Sequence, residues 1–128
     1  MKWIMCFCII AASFTFSHCS NQKVNTSSNC YKARFEIKAI CSNYTFKLLE
    51  GNLDTSKIAA SWTDESTGKE YQNVFGISNP CSLPKNLNAG DEFYFVLDTA
   101  NQNCAVCMAY YPTPQKKLSI KVLEKPCN

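Results

Sequence analysis

The sequence predicts a small all-β domain: an antiparallel, OB-like β-barrel of about six short strands held by disulfides, with a β-sandwich as the alternative. Three observations support this prediction. Several short runs alternate apolar and polar residues or are apolar throughout, no run has the spacing of an amphipathic helix, and six of the nine cysteines follow residue 29. A sheet of this size must protect its edge strands, and closure into a barrel or packing into a sandwich does so.

The clearest strand is the first one, because apolar and charged residues alternate from residue 31 to residue 39. Cys41-Ser42-Asn43 interrupts the pattern, and an extended run resumes over residues 44–49. The two runs form either one bent strand or a hairpin. A second hairpin is expected from residues 58–63 and 70–75, since the polar residues and the glycine between them permit a reversal.

Residues 79–90 contain two prolines and a late glycine, which predict a structured loop with one short helical turn. Residues 93–97 are apolar on both faces, so we expect this strand at the centre of the core. The last strands are predicted over residues 105–111 and 118–123, because the two prolines within residues 112–115 require a turn or loop between them.

The N-terminus has the form of an export signal. Residues 4–16 are almost entirely apolar, and the chain turns polar at Ser20. The apolar run is shorter than the roughly 20 residues that cross a bilayer as a helix. We therefore expect a signal peptide over residues 1–19, a polar tether over residues 20–29 and a single β domain over residues 30–128.

Two routes of signal removal fit the same residues. Cleavage between small residues would follow Cys19 or Ser20. Alternatively, the run Phe16-Ser17-His18-Cys19 resembles the lipobox of bacterial lipoproteins. That resemblance implies Cys19 as the site of lipid attachment and a possible membrane tether. The expected location is extracytoplasmic: the periplasm or cell envelope as a lipoprotein, or free secretion.

The remaining cysteines form an even set, which in an exported domain of this size predicts a disulfide framework. Six cysteines allow 15 pairings, and the sequence does not choose among them. The six predicted disulfide cysteines are Cys30, Cys41, Cys81, Cys104, Cys107 and Cys127.

Cys104 and Cys107 have the spacing of a redox motif. The residues that follow them look extended, however, and two cysteines three apart in an extended chain lie about 10 Å from each other, beyond the roughly 7 Å that a disulfide allows. Either a turn brings them together or each pairs elsewhere, and separate structural pairing is the preferred interpretation.

The catalytic inventory is small. The only histidine, His18, leaves with the signal, which removes the usual nucleophile triads and imidazole metal ligands. The acidic pairs Asp64-Glu65 and Asp91-Glu92 fall in a turn and at a strand start, where solvated caps are common. We therefore expect no enzyme, no cofactor and no bound metal. The formal charge of +3 forms no basic patch that would indicate a nucleic-acid partner.

Two further features bear on binding. Asn43-Tyr44-Thr45 is a glycosylation sequon, as is Asn25-Thr26-Ser27. An aromatic ligand face is a further option, although most of its members are expected in the core. The candidate aromatic residues are Trp62, Tyr71, Phe75, Tyr94, Tyr110 and Tyr111.

The order of several short motifs resembles that of small exported bacterial proteins of the lipoprotein type with OB-like barrels. The residues that carry this resemblance are the first strand, Cys41, residues 46–51, 84–87 and 90–95, Cys104 and residues 118–122. It implies a barrel and no particular activity. The expected function is a non-enzymatic binding or structural module at the cell envelope that contacts a protein or a glycan. The alternatives are a thiol-disulfide redox protein that uses Cys104 and Cys107, or a secreted inhibitor of the netrin-like kind.

Overall fold

The computed structural model describes residues 29–99 and 104–127, so the predicted signal peptide, Cys19 and residues 20–28 of the tether lie outside the described residues. The described part of the chain has seven strands and three single turns of 3-10 helix. The strands are β1 (Cys30–Lys38), β2 (Tyr44–Glu50), β3 (Ala59–Thr63), β4 (Glu70–Ile77), β5 (Glu92–Leu97), β6 (Lys117–Leu118) and β7 (Ile120–Leu123). The 3-10 turns are Ile40–Ser42, Thr55–Lys57 and Pro80–Ser82. No helix within the described residues is long and apolar enough to cross a membrane.

The strands form one sheet in the order β3-β4-β2-β1-β5-β7, and each neighbouring pair is antiparallel. The predicted antiparallel all-β fold is therefore confirmed, but the predicted barrel is wrong because the sheet does not close. The short β6 pairs parallel with β4 through only Gly76↔Lys117 and Ile77↔Leu118, and β3 and β7 remain the two ends of the ladder. A sandwich is not formed either, since all seven strands belong to one sheet.

The first strand is built as its alternation predicts. Tyr31, Ala33 and Phe35 are buried on one face of β1, while the residues between them are partly exposed. Of the two arrangements left open for the first runs, the structure has the hairpin, in which β1 and β2 pair antiparallel across the turn Ile40–Ser42.

The core is a cluster of phenylalanine rings contributed by four different strands. Their centroids lie 4.5 to 6.1 Å apart, within the range in which aromatic pairs attract each other. Strand β5 contributes Phe93 and Phe95 to this cluster, whereas Tyr94 on its other face is half-buried beneath Lys32. Strand β5 therefore contributes two rings to the core, as expected, but it is buried mainly on one face and not on both. The ring cluster consists of Phe35, Phe46, Phe75, Phe93 and Phe95.

The strand predicted over residues 105–111 is not formed, and residues 104–114 have no regular secondary structure. Two disulfides tie the start of this segment to turns outside the sheet, and Pro112 and Pro114 lack the N–H groups that a ladder requires. The segment rejoins the sheet at Pro114, which is fully buried. Gly76 permits this approach, since a Cβ atom there would lie 3.2 Å from the Pro114 carbonyl oxygen.

Candidate functional site

Two of the three disulfides lie at the same end of the sheet. Thr45 at the start of β2 pairs with Gly76 near the end of β4, so the turn before β2 and the turn after β4 are neighbours. The first turn contains Cys41, which is bonded to Cys107 with a Cα–Cα distance of 4.9 Å. The second contains Cys81, which is bonded to Cys104 at 5.7 Å. We call this region, formed by Ile40–Ser42, Pro80–Ser82 and residues 104–111, the cystine end.

The third disulfide joins Cys30 and Cys127 with a Cα–Cα distance of 5.9 Å, at the opposite end of β1. All six predicted cysteines are therefore paired, and the domain is disulfide-stabilised, as is typical of extracytoplasmic proteins. Cys104 and Cys107 bond to different partners, so the structure has no disulfide between them. A redox function through a Cys104–Cys107 disulfide loses its geometric basis.

The turn at the cystine end has an unusual backbone. Cys41 and Ser42 both adopt left-handed conformations, with φ of 54° and 59°. Each costs about 1–2 kcal/mol for a residue other than glycine. A backbone hydrogen bond of 3.1 Å from the Asn43 N–H to the Ile40 carbonyl closes the turn. Cys41 therefore lies in a tightly constrained turn, and its disulfide holds residues 104–111 against that turn.

Asn43 fixes the position of the 104–111 segment after the disulfide. Its side-chain amide donates one hydrogen bond of 2.9 Å to the carbonyl oxygen of Ala109 and another of 2.8 Å to that of Ile40. The Nδ2 atom of Asn43, to which a glycan would be attached, therefore already donates two hydrogen bonds. Thr45, the last residue of the same sequon, is completely buried. Met108 thus lies between two attachments, the Cys107 disulfide and the Ala109 hydrogen bond.

A third attachment is made by Tyr111, whose hydroxyl donates to Asp64 Oδ2 at 3.2 Å and lies 2.8 Å from Ser66 Oγ. Burial alone raises the pKa of Asp64, but hydrogen bonds from the side chain and backbone of Ser66, from Thr67 and from Tyr111 outweigh it and hold the pKa below its ordinary value. Asp64 therefore serves as a charged acceptor that anchors the far end of the segment.

Several apolar side chains of the cystine end project into solvent. Met108 and Tyr110, which lie between the attachments, are 96% and 79% exposed, and the neighbouring Ile40 and Val106 are also exposed. We call Val106, Met108 and Tyr110 the apolar ridge. Three exposed apolar side chains at alternate positions of one short segment are candidates for an interaction site, and backbone attachments on both sides reduce the entropy that binding would cost.

Comparison with protein-family models, with curated proteins and with solved structures finds no match to this chain.

The other predicted features are dispersed. Asp91 caps its own loop by accepting from the Asn88 N–H at 2.8 Å, and Asp64 belongs to the attachment above. Among the described residues there is no group of three His, Cys, Asp or Glu side chains that could hold a metal ion. The candidate aromatic residues do not form one face, since Phe75 lies in the core and Trp62 pairs with Tyr71 on the β3–β4 hairpin.

Val106, Met108 and Asn43 are not among the residues that the sequence pattern singles out for binding. An apolar residue at every second position of residues 106–110 instead predicts a strand of the sheet. Pro112 and Pro114 after this run and the two close cysteines in it are the signals against a strand.

Proposed function

We propose that this protein is an exported, non-enzymatic binding module at the cell envelope, and that it contacts a protein partner through the apolar ridge at the cystine end. The observation that carries this proposal is the 96% exposure of Met108 between two fixed points, the Cys41–Cys107 disulfide and the Asn43 hydrogen bond to Ala109. An exposed apolar side chain on a backbone that is held on both sides binds with less loss of backbone conformational freedom.

The proposal includes export through the signal peptide over residues 1–19, with anchoring at Cys19 or free secretion. The three disulfides support an oxidising compartment. Intact mass of the mature protein, before and after reduction, tests this part. We expect loss of the first 18 residues with added acyl mass at Cys19, or loss of the first 19 or 20 residues without it, and six mass units gained on full reduction. A mature chain that retains the apolar N-terminal run would overturn it.

A protein partner is favoured over a glycan because the ridge is apolar. The Met108 side chain offers flexible apolar contact, whereas the hydroxyl groups of a bound sugar need hydrogen-bonding partners. Tyr110 is the one aromatic residue of the ridge, and it adds a hydroxyl at the edge of the same surface.

Site-specific photocrosslinking in the producing cells tests the binding function. A benzoylphenylalanine residue at position 108 or 110 should give a covalent adduct of one discrete mass after illumination. The same residue at position 121, an exposed lysine on β7, is the matched control and should give none. Adducts of equal yield at all three positions, or none at positions 108 and 110, would refute binding through the ridge.

A further inference from the structure

We infer that the cystine end takes an extended polypeptide segment that carries carboxylate side chains beside apolar ones. This inference rests on the proposed function and adds the chemistry of the partner. It depends on a groove that begins next to the ridge and on the charges that line this groove.

The groove consists of two hollows, of about 610 Å³ and about 430 Å³, that share Lys38, Tyr44, Pro80 and Cys81 in their walls. The two hollows therefore adjoin each other, and together they extend from the Cys41–Cys107 disulfide to the loop that follows the turn Pro80–Ser82. An elongated groove on a surface accommodates an extended chain better than a compact small molecule.

Apolar side chains form part of the groove wall. Tyr44, Leu83 and Leu87 are partly exposed there, and Tyr44 packs over the buried Phe35 with a distance of 5.1 Å between ring centroids. At the other end, Ile40 and Val106 flank the entrance and are 61% and 44% exposed. Apolar side chains of a bound chain would contact both regions.

The charges in the groove are of one sign. Lys38 and Lys85 line it, and among the described residues no aspartate or glutamate lines either hollow. Lys38 Nζ donates to the Leu87 carbonyl oxygen at 2.8 Å and to Asn88 Oδ1 at 3.0 Å, which are both uncharged acceptors. Its position is thus fixed while its charge is not neutralised, and Lys85 is exposed.

Lys117 lines the neighbouring hollow together with Cys41 and Val106, but it also lines other hollows with Glu65 and with Asp98. The positive charge of the groove is therefore that of Lys38 and Lys85. The ion pairs of the described residues are made by Lys32 and Arg34, so neither groove lysine has a described carboxylate within 4.0 Å.

A groove with partly exposed apolar side chains and two lysines without carboxylate partners is complementary to a chain with apolar and acidic side chains, and it disfavours basic chains. An anionic bilayer would also satisfy the lysines, but a flat surface does not enter the two hollows. The concave shape therefore favours a polypeptide.

A display library of random twelve-residue peptides, selected on the full exported protein with its disulfides intact, tests the inference. We expect the selected peptides to be enriched in aspartate and glutamate next to leucine, isoleucine, valine or phenylalanine. The double variant Lys38→Glu and Lys85→Glu should bind the selected acidic peptides at least about tenfold more weakly and should select basic peptides instead. The matched control, Lys121→Glu with Lys125→Glu, changes the charge equally at exposed positions outside the groove and should retain the acidic preference.

Selection of peptides without an acidic bias, or the same peptides on the groove variant, would overturn the inference. Binding of phosphatidylglycerol vesicles that is lost in the groove variant, without any selected peptide, would assign the surface to a membrane and also overturn it. The experiments distinguish the failure of one proposal from the failure of the other. Adducts at position 108 without an acidic preference would support binding through the ridge and reject the acidic partner. Selection of acidic peptides without such adducts would support the acidic partner and reject binding through the ridge.

Discussion

The side-chain amide of Asn43 donates a hydrogen bond of 2.9 Å to the carbonyl oxygen of Ala109, 66 residues later in the sequence. It joins the turn before β2 to the centre of the apolar ridge. Because both groups are exposed, we expect Asn43→Ala to lower the free energy of unfolding by no more than about 1 kcal/mol. The backbone of residues 108–110 should nevertheless become more mobile, which ¹⁵N relaxation measures. Unchanged relaxation in this segment would mean that the disulfide and the Tyr111 hydrogen bonds position it without Asn43.

The Cys41–Cys107 disulfide should contribute more to stability. It closes a long loop, with a sequence separation of 66, and its loss restores conformational freedom to the unfolded chain. We expect the double variant Cys41→Ser and Cys107→Ser to lose about 2–4 kcal/mol in chemical denaturation. The same variant should abolish photocrosslinking at position 108. The double serine variant of Cys30 and Cys127 is the control, because it should lose comparable stability and keep the crosslink.

Asn79 stabilises the sheet from outside the ladder. It is buried, its Oδ1 accepts from the Ile120 N–H at 2.9 Å, and its Nδ2 donates to the Ile120 carbonyl oxygen at 2.8 Å. Asn79→Ala leaves both backbone groups without this partner, and we expect a loss of about 2–4 kcal/mol in the free energy of unfolding. Ser82→Ala, which removes a neighbour of the same cluster, should cost about 1 kcal/mol. Equal effects would show that the pairing with Ile120 is not the stabilising part.

Gly51 follows β2 with a φ of +110°, and a Cβ atom there would lie 2.6 Å from Tyr31 Cδ1. Gly51→Ala combines backbone strain with a steric clash against a buried ring, so thermal and chemical unfolding should show a loss of about 2–4 kcal/mol. Gly68, with a φ of +71° and open space around it, separates the two effects. Gly68→Ala should cost about 1 kcal/mol through strain alone, and similar losses at the two positions would contradict the clash with Tyr31.

The depressed pKa of Asp64 makes the Tyr111 attachment dependent on pH. A carboxyl group with a lower pKa in the folded state than in the unfolded state stabilises the fold above its ordinary pKa of about 4. That contribution is lost as the pH falls through the lower, folded-state value. Thermal unfolding from pH 7 to pH 2 should therefore show a loss in the wild type below about pH 4 that is smaller in Asp64→Asn. Parallel profiles for the two proteins would reject this linkage.

The sequence predicted the strands whose pattern is local. The alternation from Tyr31 to Ala39 and the polar reversal between β3 and β4 identify their elements without any knowledge of neighbours. The sequence pattern could not predict that the sheet stays open. Closure depends on the pairing between β4 and β6, which joins only two residues of each strand. Strand closure is a property of non-local pairing, and residue patterns specify it weakly.

The candidate site was less accessible to sequence reasoning. The cysteine count predicted a disulfide framework, and the distance argument favoured separate partners for Cys104 and Cys107, which the structure has. The partners themselves depend on the proximity of two turns that are far apart in the sequence. The same proximity places Asn43 against Ala109, and a polar residue in a sequon gave no indication of that contact.

The Cys30–Cys127 bond lies where the chain enters and leaves the sheet. A force that draws Cys30 and Cys127 apart is therefore borne by one covalent linkage, and the hydrogen-bonded strands between the two cysteines carry none of it. The cystine end, at the opposite end of β1, would keep its shape under such a load.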